Sequence, residues 1–167
     1  MSSNLAASFA YVADSDARIL ILGSIPGRES LKAERYYAHP RNQFWAIMRT
    51  LLGFAPDTPY ADRLLELQRQ GIALWVVMHS CQRAGSLDAS IEPDSIQAND
   101  FVTFFQDHAP IRRVFFNGAT AQTTYNKHVL PRLPALPLRY LRLPSTSPAH
   151  ASLSFALKLD AWKHILD

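Results

Sequence analysis

Four short apolar, β-branched runs punctuate this chain, and helical patterns fill the intervals between them. The runs are Arg18–Leu22, Ile72–Met78, Arg113–Asn117 and Leu138–Leu143. Helical spacing marks Phe44–Leu52, Ala61–Gln70, Phe101–His108, Gly118–His128 and Ser154–Leu166. Gly53 and Gly71 stand where the first two helices must stop, and Asn99 is placed to cap the third. Strand–helix alternation of this kind predicts a mainly parallel sheet covered by helices on both faces, with right-handed crossovers. No repeat or low-complexity linker interrupts it, and 167 residues read as a single domain over 1–167 with a substantial core.

Ligands of such sheets sit where the strands end, so the segments after the strands come next. Ile19–Leu22 empties into Gly23-Ser24-Ile25-Pro26-Gly27. Glycines there let backbone N–H groups approach a ligand, although an ordinary tight turn would use the same residues. The turn matches neither the dinucleotide fingerprint nor a P-loop. Tyr36 to Trp45 packs aromatics around Asn42 on the approach to a helix. Asn42 can orient a water or a ring edge, or it can simply cap the helix that holds Phe44 and Trp45. Asn117 closes an apolar strand before Gly118, and fits a ligand contact and a helix start equally well. The prolines on either side of Ser145 and Ser147 pre-set a hydroxyl-rich loop that suits a phosphate.

Composition narrows the classes. With 48% apolar and 19% charged residues the chain reads as globular, and its longest apolar runs are far too short for a bilayer. No charged-then-apolar leader opens it, so a cytoplasmic protein is expected, with no membrane partner. Cys81 is the single cysteine, which excludes internal disulfides. A buried, inert thiol is expected there rather than a nucleophile paired with His79. The six histidines lack zinc-ligand spacing, so no metal is expected. A net charge of +3 permits nucleic acid, with any basic footprint assembled in space from residues such as Arg28, Lys32, Arg35, Arg41 and Arg83.

Taken in order, Gly23–Gly27, Tyr37-Ala38-His39-Pro40-Arg41-Asn42-Gln43-Phe44-Trp45 and Pro144-Ser145 resemble the uracil-DNA glycosylase superfamily, and within it the hypoxanthine-DNA (deoxyinosine) glycosylase branch. The resemblance spans about residues 18 to 165. It implies a three-layer α/β/α sandwich with a four-stranded parallel sheet ordered 2-1-3-4, no cofactor, and DNA containing a deaminated base as the partner of a monomer. It also implies roles. Asn42 is similar to the branch's catalytic Asn, which positions the attacking water. Tyr37 stands where an aromatic stacks on the extruded base, and Asn117 resembles the base-reading Asn. The backbone of Ser24 and Ile25 would line the pocket, with Pro144, Ser145, Thr146 and Ser147 against the DNA phosphates.

Departures from the superfamily pattern shift the chemistry. Ile25 stands where other members place a water-orienting Asn or Asp, which moves that task to Asn42. Val76 replaces a base-contacting polar residue, Leu143 replaces the catalytic His of the main uracil-specific family, and His150 stands in place of an Asn. No leucine wedge is evident. The expected reaction is monofunctional: water attacks C1′ and the base departs, starting base excision repair. Two other readings use the same residues. One is a lesion-binding protein that has lost turnover; the other is a small-molecule nucleoside or nucleotide hydrolase built on Gly23–Gly27.

Overall fold

The computed structural model describes residues 4–167 as an α/β/α sandwich on a four-stranded parallel sheet. In chain order the elements are β1 (Leu5–Ala7), β2 (Ile19–Gly23), α1 (Arg28–Ala33), α2 (Phe44–Leu52), α3 (Tyr60–Arg69), β3 (Ile72–Val76) and β4 (Met78–Gln82). They continue with β5 (Gln97–Ala98), α4 (Phe101–Asp107), β6 (Arg113–Asn117), α5 (Ala119–His128), β7 (Arg139–Leu143) and α6 (Phe155–Trp162). The main sheet runs β3-β2-β6-β7, which is the expected 2-1-3-4 order. Register aligns Ile21 with Leu74 and Phe115, and Phe115 with Leu141.

Trp75 and Phe116 share a register row and face α4 and α5, where Phe101 meets Trp75 at 4.9 Å and Tyr125 meets Phe116 at 5.2 Å. α2 and α6 meet through Phe44 and Trp162, both fully buried, at 6.0 Å. β3 is an edge strand, yet all five of its residues are buried. Val12 covers that edge by exchanging two backbone hydrogen bonds with Leu74 (2.8 and 2.9 Å), which removes an open template for aggregation.

Ile72–Met78 is not one strand. It breaks at Val77, after which Met78–Gln82 crosses to a second, antiparallel sheet ordered β1-β4-β5. The side-chain pattern changes at that point from all buried in β3 to partly exposed in β4. The last helix is also shorter than its pattern: α6 ends at Trp162 and a 3₁₀ turn, Lys163–Leu166, follows. Asp100, not Asn99, caps α4, accepting the Thr103 N–H at 3.1 Å. Asn99 instead donates its amide to the Val76 carbonyl at 2.9 Å, joining the end of β3 to the entry of α4. Cys81 is buried beside Ile25 and Met78, and burial raises its thiol pKa above the ordinary range, as suits an inert thiol.

Candidate active site

In a β3-β2-β6-β7 sheet the chain leaves β2 toward one edge and β6 toward the other. The loops therefore part between the carboxyl ends of β2 and β6, and the crevice so formed is where open α/β sheets bind ligands. Gly23 ends β2 at this crevice. A Cβ built on it would stand 3.0 Å from the Tyr37 hydroxyl, so the missing side chain is what admits the tyrosine.

Tyr37 stacks on Phe44 (4.1 Å between centroids, 29° between planes) and holds a left-handed backbone, φ 55°. Such a conformation costs a residue with a side chain about 1–3 kcal/mol and is found where a site needs it. Its hydroxyl is buried beside the Asn117 amide but has no hydrogen-bond partner. Burial pushes its pKa far above the ordinary range, so the proton stays on. An orphaned buried donor of this kind costs about 1–3 kcal/mol until something pairs with it.

Asn42 stands one residue before Gln43, the N-cap of α2, and braces the helix entry: its Oδ1 accepts the Phe44 N–H at 2.9 Å, while its own N–H donates to the His39 carbonyl at 2.9 Å. One oxygen lone pair remains for a ligand or water, because a carbonyl accepts twice. The half-buried side chain lines a cavity of about 410 Å³ together with Tyr37, His39 and Trp45. Arg35 and Arg63 also line it. Arg63 lies 4.8 Å over the Trp45 ring, and Arg35 lies 5.3 Å over the Tyr60 ring. The next residue ties this wall to the far loop, since the Gln43 N–H donates to the Thr146 carbonyl at 3.0 Å. Asn42 and Ser145 thus lie at the same end of the sheet.

Asn117 and Thr146 grip one another. The Asn117 amide donates to Thr146 Oγ1 at 2.9 Å and accepts the Thr146 N–H at 2.9 Å. Thr146 is fully buried, with its N–H spent on Asn117 and its hydroxyl turned inward to accept the Asn117 amide, so it is out of reach of a DNA phosphate. Pro144 has no N–H, and its carbonyl accepts the Trp162 indole at 2.9 Å. Of the four residues expected at phosphates, Ser145 and Ser147 alone keep half-exposed hydroxyls, each also accepting a loop N–H at 3.2 Å. Asn117→Ala should orphan a buried N–H and a buried hydroxyl, lowering stability by about 1–3 kcal/mol. Urea denaturation measures this directly.

Ser24 and Ile25 diverge. The Ile25 side chain is buried in the small cluster with Ala6, Met78 and Cys81, so only its backbone can face a ligand. The Ser24 hydroxyl donates to Asp88 Oδ1 at 2.9 Å. Asp88, which carries no motif in the sequence, opens a short 3₁₀ turn, Asp88–Ser90, in the segment after β4. Its carboxyl accepts the Ser24 hydroxyl, after β2, and the Thr120 hydroxyl, in the first turn of α5 after β6, stands near enough to favour the charged form. Surrounding protein raises its pKa above the usual carboxylate range, an effect opposed by the Ser24 hydroxyl, the Arg83 charge and the Thr120 hydroxyl.

The family model of the uracil DNA glycosylase superfamily matches residues 9–166. A curated hypoxanthine DNA glycosylase of Methanosarcina barkeri is 38% identical over 112 residues, covering 66% of this chain and 69% of that protein. Another from Methanosarcina acetivorans is 36% identical over 114 residues, 68% of this chain and 71% of the relative. In structure, the chain superposes on the solution NMR structure of a proposed uracil DNA glycosylase from Methanosarcina acetivorans. The TM-score is 0.79 at 29% identity, over 98% of this chain and 99% of that one.

Proposed function

This chain belongs to the uracil DNA glycosylase superfamily and is a DNA glycosylase, and we propose that it releases hypoxanthine, and uracil less readily, by water attack at C1′. The observation that carries this reading is the Gln43–Thr146 hydrogen bond. It ties the Asn42–Tyr37 wall to the Ser145–Ser147 loop across one end of the sheet. A nucleotide held by its phosphate on the loop can then present its base and sugar to the wall.

Each residue has a task that its chemistry suits. Extruding the nucleotide costs a few kcal/mol of unpairing and unstacking. The Tyr37 ring, backed by Phe44, returns about 1–3 kcal/mol by stacking on the base. As the N-glycosidic bond breaks, the sugar becomes oxocarbenium-like and the base takes the bonding electron pair. The backbone N–H groups of Ser24 and Ile25 stabilise the charge that develops on a base carbonyl. The remaining lone pair of Asn42 Oδ1 orients water toward C1′. One proton of that water is lost to solvent as the bond forms and the departing base anion takes one up from solvent, which leaves an abasic sugar and free base. Asn117 holds the Thr146 loop and presents the rest of its amide to the base. Ser145 and Ser147 donate their hydroxyls to the flanking phosphates.

The identity of the two Methanosarcina relatives supports hypoxanthine as the first substrate. A panel of oligonucleotides carrying deoxyinosine, deoxyuridine or a G:T mismatch, each treated with alkali after incubation, tests the choice. Deoxyinosine is expected to be cut fastest and the G:T mismatch not at all. A rate highest on deoxyuridine or on the mismatch would overturn the assignment.

A further inference from the structure

We propose that Asp88 is a further residue of the base-binding site, which contacts the inserted base and accepts its ring N–H, a role that rests on the glycosylase reading above. Its position argues for this before its chemistry does. Three hydrogen bonds tie the Asp88 loop to the Ser24–Arg28 turn. The Ser24 hydroxyl donates to Asp88 Oδ1 (2.9 Å), the Arg28 N–H donates to Ser86 Oγ (2.9 Å), and Arg83 Nη2 donates to the Pro26 carbonyl (2.9 Å). Arg83 is only 4% exposed and also donates to the Gly85 carbonyl at 3.0 Å, so it fastens the segment after β4 to the turn after β2. Asp88 is exposed to solvent, so an incoming base can reach its carboxyl. A base entering between the ends of β2 and β6 meets this carboxyl.

What the carboxyl can do there is limited. Ionised, it only accepts hydrogen bonds. Hypoxanthine carries one ring N–H, at N1, and uracil within DNA carries one, at N3; neither has an exocyclic amine. The contact open to an ionised Asp88 is therefore that N–H, beside the carbonyl that the backbone donors address. Asn117 has part of its amide engaged by Thr146 and cannot supply the whole pattern alone. The charged or titratable groups facing Asp88 are Arg83 and Cys81 from β4 and its exit, and Tyr37 from the aromatic wall. Ser24 and Thr120 add neutral hydroxyls. Since burial raises the Asp88 pKa, the accepting form is lost as pH falls through a value above the usual carboxylate range.

Single-turnover base release from deoxyinosine and from 1-methyldeoxyinosine, which has no ring N–H, tests the assignment. The unmodified protein should prefer deoxyinosine by about 10-fold or more, and Asp88→Ala should slow it by about 10- to 100-fold, the scale of a lost hydrogen bond to a charged group. Asp88→Ala should leave the methylated substrate nearly unchanged, so that the preference collapses. Asp88→Asn keeps an accepting carbonyl, and should retain most of the activity while losing the fall in rate at acid pH. Equal slowing of both substrates by Asp88→Ala, an unchanged rate on deoxyinosine, or an acid fall that persists in Asp88→Asn would each overturn the proposal. Failure of the unmodified protein to release any base would instead overturn the glycosylase reading beneath it.

Discussion

Asn42→Ala is expected to slow base release by about 10²-fold or more, the scale of losing a positioned catalytic group, while binding of lesion-containing DNA survives. In the proposed mode, binding rests on the Tyr37 face and the Ser145–Ser147 loop, neither of which needs the Asn42 amide. The alanine variant also loses the hydrogen bond to the Phe44 N–H, at a cost of about 0.5–1.5 kcal/mol, so it confounds two roles. Asn42→Ser separates them. A serine hydroxyl can accept the same N–H two residues on, but it ends short of where the amide oxygen stood. Stability close to that of the unmodified protein, with base release still lost, assigns the chemistry to Asn42. A serine variant that is stable and fully active reduces Asn42 to a brace for the helix entry.

Gly118→Ala should produce a loss of a different kind. Gly118 has φ 95° and ψ 171°, a region that residues with a Cβ adopt only under strain, at about 1–3 kcal/mol. The added methyl would stand 3.0 Å from Ser145 Cβ, closer than the loop can tolerate without moving. The variant should unfold at lower denaturant concentration and bind DNA more weakly, because Ser145 is displaced from the phosphate contact proposed for it. Denaturation curves beside DNA titrations give both numbers. Unchanged values for both would mean that the loop yields freely and that its position does not matter.

Much of the fold was legible because its signals are local. Gly53 follows an amphipathic nine-residue helix and stops it with φ 82°. β2 and β6 are largely buried apolar runs that end in Gly23 and Asn117, and β3 is buried throughout, so burial on both faces writes itself directly into their composition, whereas the edge strand β7 is mostly exposed. The second sheet was not legible. β1 and β5 are three and two residues long, too short for any alternation to register, and β4 follows β3 after a single residue. The choice of Asp100 over Asn99 as cap turns on where the Val76 carbonyl lies, which only the folded chain decides.

The candidate site divides the same way. Asn42 stands just before α2 and Asn117 closes β6, where residue type and position both speak, while Tyr37 lies mid-loop and was reached through the family resemblance. The loop residues carry no such mark: Thr146 reads as a hydroxyl for phosphate until the fold turns it onto Asn117. Asp88 reads as an ordinary loop acid until the fold brings it to Ser24, 64 residues away. Ile25, noted as a break in the family pattern, has a structural reason for being apolar, since it fills the core beneath the second sheet.

Everything argued for the crevice depends on hydrolysis of an N-glycosidic bond. The most direct measurement incubates excess protein with a duplex carrying one deoxyinosine and quantifies free base and strand integrity together. Free hypoxanthine equal to the deoxyinosine supplied is expected, with the strand intact until alkali opens the abasic site. Tight binding without release of free base would contradict the account and leave a lesion-binding protein.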